Sequence, residues 1–454
     1  MTLGIEERLA APAQETELAH RPRRQPAVRL TVRGRSMTLR GLHPPRSGVL
    51  AILAVLGPGL IAATAGDDAG GIATYTQVGA KYGYSLLWAL LIVTLTLCVV
   101  QEMAARLGAA TGRGLLDLVR EHYDIGWTLC MVVVVLVSNG GVIVTEFAGI
   151  ATAAELFGIS RYLAVPLAAL LVWFAVSRGT YAAVEKALLL MTLAFLAYPV
   201  VVVIGHPDWG AVLHGTFVPT IQRDPEYLGL LVALIGTTVT PYMQLFQQSS
   251  IVEKGVARRH YGPERTDAYA GAIFSNIIAA CIVIAAAATL NVAGVTELQT
   301  AQDAAAALQP VAGQAAQALF GIGLLGASLL AAGVLPLATA YSISEAFGFR
   351  KGVNLDFRRA PMFLIIFSVL IAVGAALALV PGIPLFDLLI GIQMLNGLLL
   401  PIVLLFILLL VNKRRLVGDM RNGMANNVFG FGSLILVTLA AGTLLLNQVF
   451  GFLG

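Results

Sequence analysis

An apolar run from about Val49 to Val78 contains Thr64-Ala65-Gly66-Asp67-Asp68-Ala69-Gly70-Gly71. The run is long enough to cross a bilayer as helix, which takes about 20 residues. Ionised carboxylates at that depth are expensive and survive where they face a cavity or bind a cation. Gly66, Gly70 and Gly71 weaken the helix at the same place, freeing backbone carbonyls to turn toward that cavity. A broken helix carrying acid at mid-membrane is the physical signature of a cation site.

The rest of the chain agrees with a membrane setting. It is 58% hydrophobic and only 12% charged, with a mean hydropathy of +0.83, a profile no soluble domain has. Eleven spans are predicted: 49–78, 83–107, 127–156, 162–177, 183–205, 228–252, 268–292, 315–345, 360–380, 384–411 and 429–449. With the N-terminus in the cytoplasm, the outer loops keep only Lys81, Arg161 and Arg223 of the 29 Lys and Arg. That asymmetry supports both the count and the orientation, and an odd count puts the C-terminus outside.

Residues 1–46 form a separate, arginine-rich segment with no sustained helical face, read as a disordered basic cytoplasmic tail. It lacks the apolar core and cleavage site of a signal peptide. A topology anchor beside anionic lipid explains the arginines better than a nucleic-acid-binding arm. The transporter domain is expected over 47–454, with repeats at 47–206 and 228–411 and an extra helix at 429–449.

The sixth span carries Gly236-Thr237-Thr238-Val239-Thr240-Pro241-Tyr242-Met243-Gln244. Proline removes a backbone donor and clashes with the preceding turn, so this span also breaks. The two breaks fall at corresponding places in two five-span halves, and an odd number of spans per half inverts one against the other. That is the inverted-repeat plan of secondary transporters, with the site where the broken helices meet.

Other intramembrane polar groups are candidates for the ion path. Glu146 follows the flexible Asn139-Gly140-Gly141 and is a proton-relay or path candidate. Glu102 sits four residues before Arg106, where an ion pair explains it; Glu155 and Glu345 fall near span ends and read as interfacial. Gln393 and Asn396 share a helix face and either offer amide oxygens to a cation or bind a neighbouring helix. All six histidines (His20, His43, His122, His206, His214, His260) lie in the tail or in loops, so no imidazole shuttles protons at mid-membrane. The three cysteines are widely spaced and form no metal motif. The remaining oxygen donors suit Mg²⁺, Mn²⁺ or Ca²⁺.

At this point the chain resembles the Nramp family of divalent-metal transporters. The likeness is carried by Gly57-Pro58-Gly59, Lys81-Tyr82-Gly83-Tyr84-Ser85-Leu86-Leu87-Trp88, Met103-Ala104-Ala105-Arg106-Leu107-Gly108, Ser249-Ser250, and Gln393 with Leu400-Pro401. It implies an all-α LeuT-type fold of two inverted five-helix repeats plus one extra helix, with helices 1 and 6 broken. The departures fall in the site. The family's first-span Asp-Pro-Gly-Asn is here Asp68-Ala69-Gly70-Gly71, preceded by an extra acid, Asp67. Its sixth-span Met-Pro-His is Thr240-Pro241-Tyr242, and its paired third-span acids are Glu146 and Gly149.

These changes resemble the Nramp-related magnesium transporters, a branch of the same family. The resemblance implies Asp68, joined by Asp67, as the charged ligands. Gly71, Gly236, Thr237, Thr240, Gln393 and Asn396 complete the expected metal set, with Glu146, Tyr242 and Gln244 along the ion pathway or proton relay. The reading is a secondary transporter importing Mg²⁺, and Mn²⁺, by alternating access with weak or no proton coupling. It is expected as a monomer in the plasma membrane, with no cofactor beyond the transported ion. The alternative is a proton-coupled Mn²⁺ or Fe²⁺ importer. A Na⁺-coupled amino-acid symporter is disfavoured because two acids repel a substrate carboxylate. An enzyme is disfavoured because HExxH and GxSxG are absent.

Overall fold

The computed structural model describes residues 29–32, 35–38, 67–177, 196–222, 224–256, 258, 261–352 and 359–450. The first part of span one, with Gly57-Pro58-Gly59, and most of span five lie outside the described residues. Within the basic N-terminal segment, read from sequence as a disordered tail, Arg29–Val32 (β1) and Arg35–Thr38 (β2) pair as an antiparallel hairpin with Arg29 opposite Thr38.

From Asp67 onward the described chain is helical. In order come α1 (Ala69–Tyr82), α2 (Leu87–Thr111), α3 (Leu115–His122), α4 (Ile125–Leu156), α5 (Arg161–Ser177), α6 (Ala197–Ile204) and α7 (Trp209–Phe217). They are followed by α8 (Pro225–Thr238), α9 (Pro241–Glu253), α10 (Tyr261–Ala286), α11 (Ala316–Phe347), α12 (Pro361–Ala378), α13 (Leu385–Val411) and α14 (Met424–Phe450). Among the described residues eight helical segments, α8 and α9 counted as one, are long and apolar enough to cross a membrane; α5 is a shorter apolar helix.

The segment ends differ from the hydropathy reading where helix and apolar run are not the same thing. Helix α10 starts at Tyr261, earlier than expected, because Glu264, Arg265 and Asp267 prolong the helix beyond its apolar part. Helix α2 starts later because Gly83 adopts φ 57° and turns the chain between α1 and α2. Two amphipathic helices did not register in the hydropathy profile. Helix α3 buries Leu115, Leu116, Leu118 and Val119. Helix α7 is capped by Asp208, whose carboxylate accepts from Gly210 N at 2.9 Å and Ala211 N at 3.1 Å. It exposes Trp209, Leu213 and Phe217 at i, i+4 and i+8, one apolar stripe.

The outer surface is apolar where that of a soluble protein is polar. Exposed Leu163, Leu167 and Leu170 of α5, Val369 and Val373 of α12, and Val428, Ile435 and Leu439 of α14 form the outer surface. Asp68, Glu146, Thr237, Gln244, Gln393 and Asn396 are buried in the interior. Helix α4 is central, packing on α5, α11, α12 and α13, and α10 packs on α1 and α2.

Two glycines set how closely α8 and α13 approach. A Cβ on Gly236 would sit 2.1 Å from Gln393 O and 2.3 Å from Gly397 N, and one on Gly397 would sit 2.4 Å from Val232 O. Small residues at such contacts let backbones touch, which is how helices associate in lipid. Overpacking typically costs about 1–3 kcal/mol. Gly397→Ala is therefore expected to lower the thermal unfolding temperature of the detergent-solubilised protein, measured by size-exclusion recovery after heating. The chain folds past this site if recovery is unchanged.

Candidate metal site

Asp68 is the N-cap of α1, with extended backbone (φ −73°, ψ 178°), and its Oδ1 accepts from Gly71 N at 2.6 Å. A carboxylate here satisfies an orphan N–H of the first turn and complements the positive end of the helix. Gly70 is small for a different reason: a Cβ there would fall 2.1 Å from Gln393 Nε2. This close approach lets Gln393 Nε2 donate to Asp68 Oδ1 at 3.1 Å. The second oxygen, Oδ2, is buried with no hydrogen-bond partner.

The second break lies alongside the first. Helix α8 ends at Thr238; Val239 (φ −123°, ψ 63°) and Thr240 (φ −71°, ψ 143°) leave the helical region before Pro241 opens α9. Proline has no N–H to offer the Thr237 carbonyl four residues earlier. Thr237 and Thr240 also hold buried hydroxyls, beside those of Tyr75 and Tyr242. Tyr75 OH lies 3.2 Å from Thr238 Oγ1, joining α1 to the end of α8. The Tyr242 hydroxyl lies against the Asp68 carboxylate.

Two more carboxylates share this centre. Asp67 Oδ2 accepts from Ser275 Oγ of α10 at 3.0 Å, while its Oδ1 is buried and unpartnered. Glu146 Oε2 is 3.5 Å from Ala69 N at the start of α1, and its Oε1 is unpartnered. None of the three is in an ion pair with Lys or Arg among the described residues. Acidic oxygens converge without a resident counter-charge, and a divalent cation is the natural complement. Among the described residues no three of His, Cys, Asp and Glu are placed to hold a metal ion together. The donors are carboxylates plus neutral oxygens.

Gln393 and Asn396, read from sequence either as oxygen donors to a cation or as links to a neighbouring helix, are hydrogen-bonded to their neighbours. A carboxylate only accepts, so Gln393 must present its amide nitrogen to Asp68. Its Oε1 then accepts from Asn396 Nδ2 at 2.8 Å, and Asn396 Oδ1 accepts from Ser138 Oγ of α4 at 2.6 Å. Asn396 is thus a link in a chain from Ser138 to Asp68, and Gln393 is the group that orients the carboxylate. Gly236, also expected in the metal set, packs α8 on α13. Gln244 is fully buried on α9, with both amide atoms unpartnered.

Two other acids are settled by their partners. Glu102 pairs with Arg106 at 3.1 Å and accepts from Tyr261 OH, as an ion-paired reading requires. Glu345, near the end of α11, is 2% exposed, 2.9 Å from Lys351 Nζ and 3.2 Å from Ser249 Oγ.

At the opposite end Lys81 bridges Glu226 and Glu297, and Tyr82 donates to Asp224, holding that carboxyl below its usual range. A cavity of about 910 Å³ opens there, with Gln77, Glu226, Glu297, Asp387 and Met394 in its wall. Gln393 faces Asp68 and the adjacent Met394 faces the cavity, so one helix separates the two.

Residues 59–447 match the family described as natural resistance-associated macrophage protein-like, Nramp. The chain belongs to the Nramp family. This Nramp chain is 31% identical over 379 residues to the divalent metal cation transporter MntH of Deinococcus radiodurans, covering 76% of the chain and 84% of that protein. Its fold is similar to the Eremococcus coleocola manganese transporter solved with an aromatic bis-isothiourea compound. The TM-score is 0.70 at 20% identity, covering 90% of each chain. The nucleobase-cation-symport-1 transporter Mhp1, in a closed conformation with bromovinylhydantoin bound, superposes with a TM-score of 0.50 at 12% identity over 88% of this chain and 94% of that one. The fold is therefore LeuT-type, as the paired breaks imply.

Ser138 and Ser275, which fix the ends of the hydrogen-bond network, were not singled out from sequence. A lone serine in an apolar span has no spacing partner to mark it. Gly149, where the family's second acid would lie, is packed shut: a Cβ there would be 2.4 Å from both Ala69 Cβ and Ser328 Oγ. Gly149→Glu is expected to lower the yield of folded protein rather than create a proton relay. Recovery of normal yield with uptake-linked acidification in liposomes would contradict this.

Proposed function

We propose that this Nramp protein imports divalent metal cations across the plasma membrane by alternating access. Its principal cargo on this reading is Mg²⁺ with part of its water shell, with Mn²⁺ as a second, and proton coupling is weak or absent. It is a transporter rather than an enzyme, in keeping with its family. The observation that carries the reading is the buried, unpartnered Oδ2 of Asp68, beside the unpartnered Oδ1 of Asp67 and the buried hydroxyls of Thr237 and Thr240.

Mg²⁺ dehydrates reluctantly and usually keeps several waters, so a site for it needs volume and oxygen contacts to those waters. Gly71 and Thr240, in place of the family's Asn and Met, remove a direct ligand and a soft thioether. Hydroxyls at Thr237 and Thr240 accept from or donate to ion-bound water. Asp68 and Asp67 supply charge. Gly149 in place of an acid and Tyr242 in place of His remove two titratable groups, which supports weak proton coupling. The acids Glu226, Glu297 and Asp387 around the wide cavity favour cation accumulation there. The positive-inside bias supports a cytoplasmic N-terminus.

The buried Glu146, next to α1, favours the second reading, a proton-linked Mn²⁺ or Fe²⁺ importer. Uptake of Mg²⁺, Mn²⁺ and Ca²⁺ into proteoliposomes enclosing a pH dye separates the two. Mg²⁺ uptake without acidification is expected. Mn²⁺ uptake with acidification and no Mg²⁺ flux supports the second reading. A further outcome follows from the lost ligands: Gly71→Asn combined with Thr240→Met is expected to reduce Mg²⁺ uptake at least tenfold while keeping Mn²⁺ uptake. Equal loss of both ions would remove the selectivity argument.

A further inference from the structure

We infer that Gln101, Gln244 and Gln247 form a neutral polar track that passes a water-bearing divalent cation between the Asp68 site and the Arg113 end of the bundle. The inference rests on the transport reading above and adds a transit segment to it.

All three side chains are fully buried, and both amide atoms of each lack a hydrogen-bond partner. Leaving a buried polar group unsatisfied costs about 1–3 kcal/mol, and native structures keep few such groups. Among the described residues every other buried amide has at least one partner. Gln77 donates to Thr296 O and accepts from Leu298 N, each at 3.0 Å. Gln393 and Asn396 join the chain to Asp68. Among the described residues Gln101, Gln244 and Gln247 are thus the buried amides with neither atom satisfied, whereas Asn139, Gln248 and Asn276 each leave only the oxygen without a partner, and a transient hydrated ion supplies what the three lack.

The three lie along one line. Thr240, Gln244 and Gln247 are spaced i, i+4 and i+7, on one face of the segment that starts at the second break. Helix α2 runs beside α8 and α9 in the same direction. Tyr227 OH of α8 is 3.4 Å from Ser85 O just before α2, and Gln248 Nε2 of α9 is 2.9 Å from Arg113 O just after it. A Cβ on Gly108 would sit 2.9 Å from Gln248 O and 3.3 Å from Ile251 Cβ, so this face of α2 abuts α9. Gln101 lies two turns before Gly108 on that face, about 10 Å along the axis. That puts it level with the Pro241–Gln244 turn. The track leaves Thr240 and runs toward Gln248.

Neutral amides suit transit better than acids. Their oxygens accept from the waters of the ion and their nitrogens donate to water oxygens, yet they add no charge to trap it. Conduction needs contacts weak enough to release the ion. The acids near this end are already engaged, Glu102 with Arg106 and Glu345 with Lys351.

The test replaces Gln101 or Gln247 by Leu and reconstitutes each full-length variant. Uptake of Mg²⁺ and Mn²⁺ is measured in proteoliposomes, equilibrium Mn²⁺ binding by calorimetry in detergent, and thermal stability by unfolding. Removing an unsatisfied buried amide is expected to leave stability equal or higher. Binding stays within twofold of wild type, and the maximal uptake rate falls tenfold or more. Gln247→Asn is expected to retain more of the rate than Gln247→Leu. An unchanged uptake rate in both Leu variants overturns the track and leaves the Asp68 site standing. Binding lost in parallel with rate also overturns it, by placing the amides in the Asp68 site. If wild type takes up neither ion, the transport reading itself fails before any variant is compared.

Discussion

The structure depends on a buried carboxylate, that of Asp68, with one oxygen tied and one free. Burying an isolated charge costs several kcal/mol, and hydrogen bonds to a charged group return about 1.5–3 kcal/mol each. Gly71 N and Gln393 Nε2 both act on Oδ1 of Asp68, leaving Oδ2 bare. The remaining electrostatic deficit is what a cation removes on arriving and restores on leaving. The neighbouring features serve that arrangement. The break at Asp67–Asp68 creates the N-cap, Gly70 lets Gln393 approach, and Ser138 and Asn396 fix the polarity of the amide that faces the carboxylate.

The same logic separates the site from the rest of the polar interior. Glu102 and Glu345 are buried too, but Arg106, Tyr261, Lys351 and Ser249 satisfy them. They tie helices together near the Arg113 end. Asp67, Asp68 and Glu146 have hydroxyl, amide and backbone partners and no cation, so a mobile ion has a reason to visit them. Gly149, packed between Ala69 and Ser328, shows that the interior here has closed over a position where a further acid would lie.

The breaks were legible in the sequence because their causes are covalent. Adjacent acids, clustered glycines and a proline act on the backbone wherever they occur in a helix. The span list was legible for the same kind of reason, since hydrocarbon demands long apolar runs. Helices α3 and α7 were not, because short amphipathic segments leave a weak hydropathy signal. Gln393 and Asn396 were legible as a shared face, but their donor order depends on Asp68 and Ser138, which are distant in sequence. Gln101 and Gln247 passed unmarked because an amide in an apolar run is common. Only the absence of partners in three dimensions sets them apart. The pairing of Glu345 with Lys351 and Ser249 was not legible, because those partners come from other segments of the chain.

The claim that the free oxygen of Asp68 holds the ion is tested most directly by calorimetric titration of Mg²⁺ into detergent-solubilised wild type and Asp68→Asn. Asparagine keeps the size and an acceptor for Gly71 N and Gln393 Nε2 but removes the charge. The account predicts saturable binding to wild type and at least tenfold weaker binding to a variant that remains folded. Equal affinity in the two would contradict it and move the site away from Asp68.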